Sequence, residues 1–181
     1  MKKLIGTILC LLLCLFLGVY NYWFRASIDD PVITDVHKEF YTDEDIAALQ
    51  HTEIFAEGAL EHIFYGTVNS KGSGTGYHYD LVENTPGQII EGTRTEEDSF
   101  GVYTAKVIVN GAAKTGNQGY SSFYPDRMNP QEVVDAINQA YANRKKVRGS
   151  LYAGLTDEGM EIDMALDDDG LIITAYPVKE E

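Results

Sequence analysis

The chain has 181 residues, room for one domain of ordinary size and little more. Its 14 Lys and Arg stand against 28 Asp and Glu, a formal charge of −14, which excludes a protein held on nucleic acid by a broad basic face. A hydrophobic fraction of 44%, with 11% of the chain aromatic, excludes disorder throughout.

The charge is unevenly spread. Residues 1–25 contain Lys2, Lys3 and Arg25 and no acid, so the other 156 residues carry 11 bases against 28 acids, a net of −17. Leu4–Phe24 is a run of 21 uncharged residues. As a helix it would span about 32 Å, enough for a hydrocarbon core of about 30 Å. Lys2 and Lys3 favour a cytoplasmic N-terminus, and Tyr20, Tyr22, Trp23 and Phe24 suit the far interface. A cleaved signal peptide would want a shorter apolar core and small residues at the cut, where this chain has bulky ones. The segment 1–25 therefore reads as an uncleaved single-pass anchor in a bacterial cell membrane, with the remainder outside; secretion after cleavage is the alternative. Both cysteines, Cys10 and Cys14, fall inside it, which leaves the exterior part without thiol, disulfide or Cys-based zinc site.

Residues 26–61 hold ten acids against one base, Lys38, and 26–54 is taken as an acidic approach to a domain over 55–181. Thr42-Asp43-Glu44-Asp45 predicts a capped helix through Ile46 and Leu49. A second helix is expected near Glu53–His62. Gly66–Gly76, with four glycines, reads as a flexible loop, and its spacing is not that of a phosphate-binding P-loop. Strands are expected over His78–Val82, Gln88–Glu91 and Val102–Val109, the last ending at the turn Asn110-Gly111. Asn129-Pro130-Gln131-Glu132 opens a helix whose apolar stripe is Val133, Val134, Ile137, Ala140 and Tyr141. Arg144, Lys145, Lys146 and Arg148 are then placed at its C-terminus, where cations are favoured. Leu151–Thr156, Met160–Leu166 and Leu171–Val178 predict a meander. The run Asp167-Asp168-Asp169-Gly170 reads as a turn, because Ala165 and Tyr176 stand where an EF-hand would need acids.

Of four histidines, His37 and His51 sit in the acidic approach and read as surface residues. His62 ends a predicted helix and His78 begins a predicted strand, with the glycine loop between them. Such a connection can bring two imidazoles to one cleft. With ordinary pKa values near 6.5, the pair can supply one neutral base and one charged acid at neutral pH. That is the equipment for cutting RNA through its own 2′-hydroxyl, given a cation or hydroxyl to meet the charge that develops on the phosphorane.

Four motifs occur in order: Glu61-His62-Ile63-Phe64-Tyr65-Gly66, Gly76-Tyr77-His78-Tyr79-Asp80, Ser122-Phe123-Tyr124-Pro125 and Thr174-Ala175-Tyr176-Pro177. With their sixteen-residue His-to-His step they resemble the bacterial EndoU endoribonuclease domain, over about residues 55–178. The resemblance implies an α+β fold with antiparallel sheets and flanking helices around a cleft. It also implies cleavage of RNA, often at uridines, and many bacterial members are toxins delivered to competitors. Carried over by position, His62 and His78 match the catalytic histidines, with His78 suggested as base and His62 as acid. Thr174 and Tyr176 match a polar pair near the C-terminus, a hydroxyl to support the phosphate and a ring to stack on a base. Lys114 is the best-placed match to a lysine common in the family. Tyr77, beside His78, is a further candidate for substrate binding.

The resemblance implies RNA as substrate and no required cofactor, although the family includes manganese-dependent members outside bacteria; it leaves open whether an immunity protein is a partner. Of the 11 exterior bases, eight lie between Arg94 and Arg148 among only six acids, so a local basic lip is expected on an acidic protein. The rival reading is a surface-displayed module that binds through the same cleft without cutting.

Overall fold

Asn129 opens the longest helix of the described residues. Its side chain accepts from the backbone N–H of Glu132 while Glu132 reaches back to the Asn129 N–H, a complete capping box with Pro130 in the first turn. The computed structural model describes residues 40–181, within a unit that begins at Lys38. The anchor expected over 4–24 and His37 lie outside the described residues. Among the described residues no helix is long and apolar enough to cross a membrane.

In chain order the helices and strands are α1 Asp43–Ala47, α2 Ala59–Phe64, β1 Thr67–Val68, β2 Gly74–Thr75, β3 Gly87–Ile89, β4 Tyr103–Val109, β5 Ala112–Ala113, β6 Tyr120–Phe123, α3 Pro130–Ala142, β7 Lys145–Arg148, β8 Leu151–Leu155, β9 Glu161–Leu166 and β10 Ile172–Pro177. Short helices and antiparallel sheets make an α+β architecture, as expected. One sheet is the meander β10-β9-β8-β7. The other centres on β4, which pairs with β3, β5 and β6, and β1-β2 is a separate hairpin.

Helix α3 lies on the meander. Val133, Val134, Ile137 and Ala140 are buried in one cluster with Ile162, Met164, Ile172 and Ala175. The helix approaches so closely that a Cβ at Gly154 on β8 would overlap the Ala140 carbonyl. A second cluster, beside β4, holds Tyr77, Tyr103, Ala105, Val107, Val109 and Phe123. The Tyr103 and Phe123 rings stack at 5.0 Å, and Tyr77 meets Phe123 edge-on at 5.5 Å. Residues 40–54 are tied into the same unit: Ile46 is buried in the main cluster, Leu49 and Ile54 pack on it, and Tyr41 bridges to Val82.

Several predicted elements differ. Thr42 caps α1 as expected, but the helix stops at Ala47, before Leu49. The helix expected over 53–62 begins only at Ala59, because Gly58 holds a left-handed φ of +77° and resets the chain. The glycine loop contains the paired strands β1 and β2. His78–Val82 is extended but is no strand: its backbone bonds go to Ile63, Tyr124 and Tyr41 in turn, so no single ladder forms. The basic run after α3 is not a helix cap but strand β7. Asn143 closes the helix by bonding both the N–H and the carbonyl of Leu155, which delivers the chain to the edge of the meander. Only Arg144 meets a helix carbonyl, that of Tyr141, with its guanidinium over the Tyr141 ring.

Candidate active site

The two motif histidines are brought together by backbone bonds, not by sequence proximity. The Tyr77 N–H donates to the His62 carbonyl at 3.0 Å, and the His78 N–H donates to that of Ile63 at 2.8 Å. The turn that makes this possible uses two consecutive left-handed residues, Gly76 at φ +69° and Tyr77 at φ +58°. A tyrosine there is strained, and such strain persists where the surrounding structure fixes it. At Gly76 a Cβ would overlap the His62 carbonyl and lie 2.8 Å from the imidazole, so glycine is needed for space as well as conformation. The imidazole centroids end up 6.4 Å apart with their planes inclined by 49°.

Each ring is held through Nδ1. His78 Nδ1 lies 2.8 Å from the Ser122 carbonyl, an acceptor only, so this nitrogen carries the hydrogen and Nε2 of neutral His78 is a bare acceptor. His62 Nδ1 shares a 2.9 Å bond with the Thr67 hydroxyl, which in turn meets the Thr75 hydroxyl at 3.0 Å. Those hydroxyls can donate or accept, so His62 keeps this bond in either protonation state. His78 is buried at 5% exposure, whereas His62 is half-buried.

Three further side chains converge. Lys114 donates to Ser121 Oγ at 2.8 Å, and Ser121 donates to the Gly76 carbonyl, which links the lysine to the turn before His78. Its charge acts on both imidazoles. Tyr176 stacks on His78 with centroids 5.3 Å apart and planes inclined by 23°. Thr174 Oγ1 is buried and has no hydrogen-bond partner among the described residues. A bulge in β10 decides where these last two point. Ile172 pairs with Leu166 but Thr174 with Ala165, so Ile173 is the extra residue. Ile172 and Ala175 are buried in the main cluster on the side of α2, and Thr174 and Tyr176 take the opposite face.

Residues 56–179 match the model of the bacterial EndoU nuclease. The chain belongs to the bacterial EndoU nuclease family. It is also similar to a protein named "Toxin" from Bacillus cereus, 43% identical over 148 residues, which are 81% of this chain and 27% of that protein. The chain thus spans about a quarter of the length of the curated relative it matches. No solved structure matches it.

In this EndoU domain the structure gathers His62, His78, Lys114 and Tyr176, with Thr174 on the same sheet face as Tyr176. Tyr77 is not part of the group. It is 2% exposed, its ring is in the second cluster, and its hydroxyl donates to Asp80 at 2.5 Å. It lines a separate hollow of about 730 Å³, with Phe40, Asp80, Asn84 and Gln88, whose walls include neither histidine. His51 is exposed and 3.3 Å from Asp135 on α3. Among the described residues no group of three or more His, Cys, Asp or Glu is arranged to hold a metal ion.

Sequence reasoning missed Thr67, Ser121 and the Ser122 carbonyl as the groups that orient the ring nitrogens and Lys114. Thr67 and Thr75 were legible only as a symmetric pair flanking the glycine-rich turn. It also missed Asp163, the cross-strand neighbour of Tyr176 on β9, which accepts from the Tyr176 hydroxyl. Electrostatics follow from burial. Desolvation, with Lys114 second, pushes His62 below the ordinary imidazole range, and the same causes push His78 well below it. Desolvation alone brings Lys114 down to about 8.

Proposed function

We propose that this EndoU domain is an endoribonuclease that cuts single-stranded RNA, at uridines, and leaves 2′,3′-cyclic phosphate ends. The observation that carries the reading is the asymmetry of the two imidazoles: His78 fixed with a bare Nε2, His62 more exposed and bonded to hydroxyls that tolerate either state. His78 Nε2 takes the 2′-hydroxyl proton, the O2′ attacks the adjacent phosphorus, and the P–O5′ bond breaks. His62 gives its proton to the leaving O5′, so the products are a cyclic phosphate and a 5′-hydroxyl. Both imidazoles are neutral-leaning in the free protein because burial, and after it Lys114, disfavours their charge. A bound phosphodiester offsets the lysine, which favours protonation of His62, the less buried of the two. Lys114 and the unpaired Thr174 hydroxyl support the phosphorane oxygens, and Tyr176 offers its ring to the base.

The relative named "Toxin" supports a toxin role. In that role the RNA cut would be another cell's, and an immunity protein would protect the producer. The apolar run 4–24 would hold the domain outside the membrane, or direct its secretion if cleaved.

The test incubates the full chain in detergent with uridine-containing RNA and identifies the new ends. Cyclic phosphates are expected, with a loss of about 10²- to 10⁴-fold in His62→Ala and in His78→Ala. Absence of cyclic phosphates under every metal condition favours a binding module, and full activity in either variant removes that histidine from the mechanism.

A further inference from the structure

The face of the meander that carries Thr174 and Tyr176 continues past them. Register fixes two rows across it. Tyr176 pairs with Asp163, Asp163 with Ala153 and Ala153 with Lys145; Thr174 pairs with Ala165, Ala165 with Leu151 and Leu151 with Arg148. Directly paired residues share a face. The other face belongs to the core, where Ile162, Met164 and Ala175 are buried. Lys146 goes with that other face, its ammonium 5.8 Å from the Tyr152 ring.

Plain alternation would put Arg148 with Lys146. A second bulge intervenes: Lys146 pairs with Tyr152 and Arg148 with Leu151, so the exposed Val147 is the extra residue. The bulge re-aims Arg148 onto the face of Thr174 and Tyr176, and the charge of Arg148 acts on the Tyr176 hydroxyl. Strand β7 is an exposed edge, three strand spacings or about 14 Å from β10.

We propose that this sheet face is a binding platform for the single-stranded RNA that flanks the cut, with Tyr176 as its inner end and Lys145 and Arg148 as phosphate contacts at its outer edge. The proposal rests on the endoribonuclease reading of the adjoining site. Charge selects the occupant: four bases in the five residues 144–148 contrast with an exterior net of −17, and a polyanion is the ligand such a local reversal fits. Small side chains at Ala153 and Ala165 leave the middle of the platform low. Two acids share the face, Asp163, which accepts from the Tyr176 hydroxyl, and the exposed Glu161, whose charge acts on Asp163; both stand on β9, two strands away from Lys145 and Arg148 on β7.

The experiment measures binding of an uncleavable 2′-deoxy oligouridylate of about ten nucleotides, within the usual range for single-strand sites, to the full chain at several salt concentrations. The double variant Lys145→Gln/Arg148→Gln should bind more weakly and lower the slope of log Kd against log salt by about 1.4, the release expected for two phosphate contacts. Arg127→Gln, which removes one charge near Glu158 instead, should leave the slope unchanged. An unaltered slope in the double variant, an equal loss in Arg127→Gln, or no oligonucleotide binding by the unmodified chain would overturn the platform. Cleavage by the unmodified chain is scored separately, so loss of the platform leaves the catalytic reading standing and loss of cleavage leaves the platform to be judged by its slope.

Discussion

His78 and Tyr176, ninety-eight residues apart in sequence, stack with ring centroids 5.3 Å apart and planes inclined by 23°. The contact joins the turn after α2 to the last strand of the meander, so the proposed base and the proposed nucleobase platform are positioned by one another.

Tyr176 should therefore tolerate loss of its hydroxyl better than loss of its ring. Tyr176→Phe keeps the stack and should retain most activity on uridine-containing RNA. Tyr176→Ala should lower kcat/KM by about 5- to 150-fold, the equivalent of one base–aromatic stack of about 1–3 kcal/mol. Steady-state kinetics of the two variants decide it; equal loss in both would assign the effect to the hydroxyl and its bond to Asp163.

The pH profile follows from the lowered imidazoles. The acid, His62, must be protonated, so kcat/KM should fall as pH rises past its lowered pKa. The base, His78, must be neutral, so kcat/KM should rise through a pKa that lies lower still. The optimum is expected on the acid side of 6.5, with a further decline near 8 as Lys114 loses its proton. A profile of kcat/KM for the free enzyme tests this, and an optimum above 7 would contradict the assigned roles.

Lys114 acts on both rings through its charge. In Lys114→Gln that charge is gone while a polar group remains near Ser121, so both histidine pKa values should move up towards 6.5. Histidine-selective NMR titration reads the shift directly. If neither ring moves, Lys114 is not close enough in solution to support the phosphate.

Gly76→Ala should fail on two counts, a left-handed φ of +69° and overlap with the His62 carbonyl. A loss of about 1–3 kcal/mol is expected from the backbone alone. Thermal unfolding should show a lowered midpoint, and activity measured well below it should still be reduced because the alanine displaces the His62 ring.

Much of this was written in local pattern. Asn129 to Glu132 fixes a helix start within four residues, because the groups that satisfy one another are neighbours in the chain. The alternation Met160, Ile162, Met164, Leu166 fixes the buried face of β9 for the same reason. The left-handed Gly58, the hairpin in the glycine loop and the pairing of Lys145–Arg148 with β8 were not readable in that way. Each depends on a partner distant in sequence or on a backbone angle that composition does not specify.

The sequence by itself determined the family motifs, the residue types that could move protons, and a charge of −14 that rules out a broad basic face. It could not determine which residues meet. His62 and His78 converge because Gly76 and Tyr77 turn left-handed against the end of α2; Thr174 and Tyr176 share a face by plain alternation, but the bulge at Ile173 sets which face that is and the bulge at Val147 brings Arg148 onto it. A one-residue bulge inverts every side chain beyond it, and only cross-strand pairing reveals where it falls.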